Sequence, residues 1–305
     1  MSFAEQERAL FDLLFDGRVR DRFSQDSNAA LAEYDLDEDE RQDFSVLRQD
    51  ALEVDACIRV NLVMSQLCRS YPISFSILSS INNGIELLKS LVDVTTMRSP
   101  HVDRPVVYGK RLGNELVQCA FNSNKEKQLL SAILQLELGM AWTASSLKRV
   151  VIERGEQADT DSGLVDDWAD RPVTLAEFVT AGLLPLSYKK IKRRLCPVSD
   201  NELWRSLTRT PTSSSTLKSL LSRDDPRLLV SRAKIEHMSF CEPTVSHQTT
   251  ELSEGFAPLF QHVNGKVSVN ALLANLKQSG ADDSLLKSVK SGFEQLLTNG
   301  MLLTT

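Results

Sequence analysis

No stretch of this chain approaches the ~20 consecutive apolar residues that a membrane-spanning helix needs, so no helical span is expected. The opening Met1-Ser2-Phe3-Ala4-Glu5-Gln6-Glu7 has no basic segment leading into an apolar one, and no signal peptide is expected either. Cysteine is scarce. Cys57, Cys68, Cys119, Cys196 and Cys241 are widely spaced, odd in number and free of CxxC pairs, which excludes a disulfide scaffold and predicts reduced thiols in a cytoplasmic protein. Basic excess is missing as well: a net charge of −6 and a pI near 5.4 argue against general binding to nucleic acid or anionic membranes. Catalytic signatures are absent, with no GxSxG, P-loop, GxGxxG or HExxH, and four scattered histidines offer no obvious general base. The expectation is a binding protein with no catalytic residues and no cofactor of its own.

What is present suits a soluble chain of roughly two domains: 305 residues, 42% hydrophobic and 25% charged. Residues 1–155 read as all-helical, 156–222 as a connecting region with short basic helices, and 223–305 as a small winged-helix domain. The fold class is therefore mainly α with a small α+β part. Glu5–Phe15 reads as a helix, and the stretch through Gly17 and Asp26 as turns. Asp37-x-x-Glu40 has capping-box spacing and opens a helix towards Asp50. Ala51–Ser70 is apolar on much of its circumference, with Val54, Ile58, Leu62, Val63 and Leu67 on one side and Cys57, Val60, Met64 and Cys68 widening the stripe, and is expected at the centre of a bundle. Pro72 ends it. Ile77–Asp93 and Lys125–Glu153 read as further helices, the latter carrying Leu129, Ile133, Leu136, Met140 and Leu147. Asp159–Asp170 reads as a loop or boundary, and Thr210–Ser215 as a linker or a helix N-cap region.

Towards the C-terminus, Leu228–Phe240 alternates with period two, placing Leu229, Ala233 and Ile235 on one face. Val245–Leu252, polar on both faces, reads as an edge strand. Three apolar stripes follow: Phe256, Leu259, Phe260, Val263; then Val269, Leu272, Leu273, Leu276; then Leu286, Val289, Phe293, Leu296, Leu297. Each predicts a short helix, with Ser268 and Asp282 or Asp283 as N-caps, and Met301–Leu303 predicts a closing strand. Such a domain holds DNA or a peptide. From Arg223 onward there are eight basic and nine acidic side chains, a poor balance for phosphate contacts. A peptide site needs an open strand edge beside an apolar groove. The candidate residues are Val245, His247, Thr249 and Glu251 on the strand, with Leu286, Lys290 and Phe293 on the third helix.

The basic run Lys189-Lys190-Ile191-Lys192-Arg193-Arg194 fits a partner-docking surface through Lys189, Lys190 and Arg193, and equally a solvated helix face. His237, Cys241 and His247 flank a strand turn, but their spacing matches no zinc pattern. Asp159-Thr160-Asp161-Ser162-Gly163 starts like a calcium loop and lacks the later ligands, so no metal site is assigned.

Leu228–Thr305, with Phe260-Gln261-His262-Val263-Asn264-Gly265-Lys266 and Phe293-Glu294-Gln295-Leu296-Leu297-Thr298-Asn299-Gly300-Met301-Leu302, resembles the PqqD-type recognition domain for leaders of ribosomally made precursor peptides. Leu14–Phe23, Ala29–Leu36 and Leu67–Pro72 are similar to the partner proteins of multinuclear-iron TIM-barrel oxygenases that modify peptide cysteines. That group includes the partners of 3-thiaglutamate and methanobactin biosynthesis. The resemblance implies a non-catalytic subunit that pairs with an iron enzyme, the iron lying on the partner and the leader peptide adding to this chain's sheet. The alternative is a winged-helix transcription regulator with a helical sensor domain.

Overall fold

Asp37 closes the capping box its spacing predicts: its carboxylate accepts from the Glu40 amide at 2.9 Å, and Glu40 accepts from the Asp37 amide at 2.8 Å. This computed structural model describes residues 3–117, 119, 121, 123–154, 166–222, 225–238 and 243–305. The cap opens α4 (Glu38–Ser45), after α1 (Phe3–Phe15), α2 (Gly17–Gln25) and α3 (Ser27–Leu31). The stretch expected to turn through Gly17 is thus a helix, because Asp16 accepts from the Arg18 amide and caps it. Leu13, Val19, Phe23, Leu31 and Leu52 close a small core between these helices.

Next come α5 (Gln49–Ser70), α6 (Pro72–Ser79), α7 (Gly84–Ser90), α8 (Val94–Arg98), α9 (Arg104–Glu115) and α10 (Asn124–Arg154). Only one side of α5 is buried, through Leu52, Ala56, Val63, Met64 and Leu67. Val54, Ile58 and Leu62 stay 53–61% exposed, so this helix edges the bundle instead of forming its centre. The expected helix Ile77–Asp93 is two helices. Asn83 adopts a left-handed φ of 58°, and a side chain at Gly84 would place Cβ 1.9 Å from the Leu78 carbonyl oxygen. The long α10 forms as its periodicity predicts, burying Leu129, Ile133, Leu136, Met140 and Leu147.

The remaining elements are β1 (Pro172–Leu175), β2 (Val179–Leu184), α11 (Tyr188–Leu195), α12 (Leu203–Arg209), α13 (Ser214–Leu221), β3 (Arg227–His237), β4 (Thr244–Ser253), α14 (Ala257–Phe260), β5 (Asn264–Ser268), α15 (Val269–Gln278), α16 (Asp283–Thr298) and β6 (Leu302–Thr304). They build two antiparallel three-stranded sheets, ordered β5-β1-β6 and β2-β3-β4. The boundary expected at 222/223 is therefore crossed twice, since β1 is the middle strand of one sheet and β2 an edge of the other. Trp168 and Val173 share one core with Phe293 and Met301. The first C-terminal stripe makes only the single turn α14 before the chain extends into β5, yet Phe256, Leu259 and Val263 are buried. The other two stripes form α15 and α16, capped by Ser268 and Asp282 as expected. Gly292 lets α16 approach Phe256, whose ring would lie 2.4 Å from an added Cβ.

Strand β3 joins the two halves through its alternation. Leu229 enters the helical core with Leu136 and Leu184, while Leu228 and Val230 enter the C-terminal core with Leu252 and Phe293. The protein is mainly helical with a small sheet part. Among the described residues, no helix is long and apolar enough to cross a membrane.

Candidate functional site

Strand β4 ends its sheet, and among the described residues no strand pairs with its outer edge. The register sets which side chains share a face: Val245 lies opposite Ile235, His247 opposite Ala233, Thr249 opposite Ser231 and Glu251 opposite Leu229. Ala233 packs with Leu147 and Val151 of α10, so this set faces the helical body. The alternate set faces the other way. Gln248 donates to the Asn299 side-chain oxygen at 2.9 Å, and the Asn299 amide donates to Thr250 Oγ1 at 2.9 Å, at the end of α16. Strand and third helix therefore do not form the single groove that the sequence suggests. Leu286 is half-buried, Lys290 is exposed on α16, and Phe293 is fully buried against Phe256 with ring centroids 5.3 Å apart. Phe293 is a core residue, not a groove residue.

Between β4 and the helical body lies an open cleft of about 1060 Å³. Val245, His247 and Thr249 line one side. The end of α5, the start of α9, the middle of α10 and the face of α11 line the other. Two of the three basic residues proposed for docking open onto this same cleft, Lys189 and Arg193. Lys190 turns away and pairs with Asp225 at 2.6 Å. Among the described residues, the cleft carries six Lys or Arg side chains against two carboxylates, Asp200 and Glu236. Arg69, Arg104 and Lys148 were not picked out by sequence, and Lys192 was named only as part of the basic run. Lys192 sits at i+3 from Lys189 and helical spacing finds it; Arg69 and Arg104 are far apart in the chain and carry no local signal.

Glu251 does not line the cleft but anchors it. Its carboxylate accepts from Ser187 Oγ and from the Lys189 amide, both at 2.7 Å, clamping the first turn of α11 to the edge strand. Ser187 also caps that helix by accepting from the Lys190 amide at 3.3 Å. His247 Nδ1 lies 3.3 Å from Ser231 Oγ. Burial, and then the charge of Lys192, pulls the His247 pKa down to about 4, so the ring is neutral at pH 7. Lys192 pairs with Asp200 at 3.2 Å. Arg104 is half-buried, its Nε has no hydrogen-bond acceptor among the described residues, and burial lowers its pKa.

His237 lies opposite Thr244, three positions along β4 from His247, and Cys241 is outside the described residues, as is Asp159–Gly163. Among the described residues, no three His, Cys, Asp or Glu side chains are grouped to hold a metal ion. Comparison with known proteins finds no matching family model, no similar curated protein and no similar solved structure.

Proposed function

We propose that this chain is a non-catalytic, cytoplasmic subunit that binds the leader of a ribosomally made precursor peptide and presents it to an iron-dependent oxidative enzyme. The open outer edge of β4, running along a cleft, carries this reading. An extended peptide adding there gains backbone hydrogen bonds over a strand of ten residues, with side-chain contacts on the cleft wall. The C-terminal part acts as a PqqD-like winged-helix unit that supplies this edge. The partner, by the resemblance, is a TIM-barrel enzyme that holds iron and oxidises a peptide cysteine, as in 3-thiaglutamate-type biosynthesis. Holding the substrate away from the reacting end raises its effective concentration at the partner's site. The exposed apolar stripe Val54, Ile58 and Leu62 on α5 suits that enzyme as a docking face.

Selection of a randomised decapeptide display library against the intact chain tests the peptide reading. Enrichment of extended, β-prone peptides that compete with one another for a single site supports it. A library that yields no enriched peptide contradicts it.

A further inference from the structure

Lys189, Lys192 and Arg193 occupy positions i, i+3 and i+4 of α11, and all three line the cleft facing β4. Side chains so related on a helix stand ~5–6 Å apart. Same-face side chains of an extended strand repeat every ~6.6 Å. The two spacings are close enough for successive outward groups of a strand to meet successive cations of the helix. Arg69, from the last turn of α5, and Arg104, at the start of α9, extend the basic wall.

These charges are poorly neutralised from within. Of the six Lys or Arg side chains, Lys192 has Asp200, while Arg69, Lys189 and Arg193 have no carboxylate partner among the described residues. The Arg104 Nε, buried without an acceptor, is costly to leave unpaired. A concentration of positive charge in a chain of net charge −6 is a local design for an anion. Nucleic acid suits the cleft poorly, because single strands need exposed aromatic platforms and, among the described residues, the lining offers beyond histidine only the buried ring of Tyr188.

We infer that the segment bound in this cleft is an acidic peptide, with Asp or Glu at alternate positions set against Lys189, Arg193 and Arg69 while its backbone pairs with β4. This rests on the strand-addition reading above and names the peptide class. The display selection on the intact chain also tests this inference. Asp and Glu should be enriched at alternate positions of the recovered decapeptides. The double substitution Lys189→Glu with Arg193→Glu should weaken a recovered acidic peptide roughly tenfold or more at low salt, with the difference shrinking as salt screens the pairs. Arg194→Glu, exposed on the same helix but outside the cleft, serves as the control for folding and for a charge reversal outside the cleft, and should leave that affinity largely unchanged. Enriched peptides without acidic alternation, or acidic peptides indifferent to the double reversal, overturn the charge inference and leave strand addition standing. No enriched peptide overturns both. Displacement of the acidic peptide by an oligothymidylate of about 15 nucleotides at lower concentration than unlabelled peptide assigns the cleft to nucleic acid and also overturns the inference.

Discussion

Glu251 Oε1 accepts a hydrogen bond from the Lys189 amide at 2.7 Å, so the edge strand itself fixes the first turn of the basic helix across the cleft. The second oxygen takes the Ser187 hydroxyl at the same distance. The two walls of the cleft are thereby one mechanical unit. Hydrogen bonds to a charged group are worth ~1.5–3 kcal/mol each, so Glu251→Ala should lose about 2–3 kcal/mol in urea denaturation, with partial solvent exposure limiting the total. Glu251→Gln keeps one acceptor oxygen and should lose roughly half as much. Equal stability of all three proteins would remove the anchoring role.

Phe293 is fully buried against Phe256 in the C-terminal core. Phe293→Ala should cost about 3–5 kcal/mol by chemical denaturation, as large-to-small changes in a packed core do. A loss below about 1 kcal/mol, with peptide affinity abolished, would restore Phe293 to a groove.

His247 is neutral at pH 7 because burial and Lys192 disfavour its charged form, and its NMR titration should centre at about pH 4. Lys192→Met should raise that midpoint. The folded pKa lies below the ordinary histidine value of 6.5 that the unfolded chain keeps, so the unfolded chain takes up the proton first. Stability from this group is full above that value and is lost as pH falls towards 4. A midpoint at or above the unfolded value would contradict the buried placement.

Glu137 has the opposite sign. Its carboxylate is fully buried and accepts from the Ile73 and Ser74 amides at 2.9 and 3.1 Å, and burial raises its pKa to about 7. Its folded pKa exceeds the unfolded 4.5, so its contribution is full below 4.5 and falls as pH rises through about 7. The stability difference between wild type and Glu137→Gln, from melts at several pH values, should turn against wild type as pH rises from about 5 to 8. A difference independent of pH would contradict a raised pKa.

The legible parts of the fold were those with local causes. Capping at Asp37, the length of α10 and the β3–β4 hairpin each follow from spacing within a few turns of chain. Strands β1 and β2 escaped because they are short and find partners far away, β1 pairing with residues beyond 263. The apolar stripe of α5 misled, since a helix apolar on two sides does not say which side the bundle takes. At the site, the edge strand was readable, but the face that Val245, His247 and Thr249 present depends on register parity and on which layer covers each side. Arg69, Arg104 and Lys189 meet only through tertiary packing, so no motif joins them.

The central claim is strand addition on the outer edge of β4. Hydrogen–deuterium exchange on the intact chain, with and without a peptide recovered from the decapeptide selection, tests it most directly. The account predicts that peptide binding slows exchange of outward-facing β4 amides within Thr244–Ser253, with lesser protection in α11. Protection confined to α16, with β4 unchanged, would contradict it.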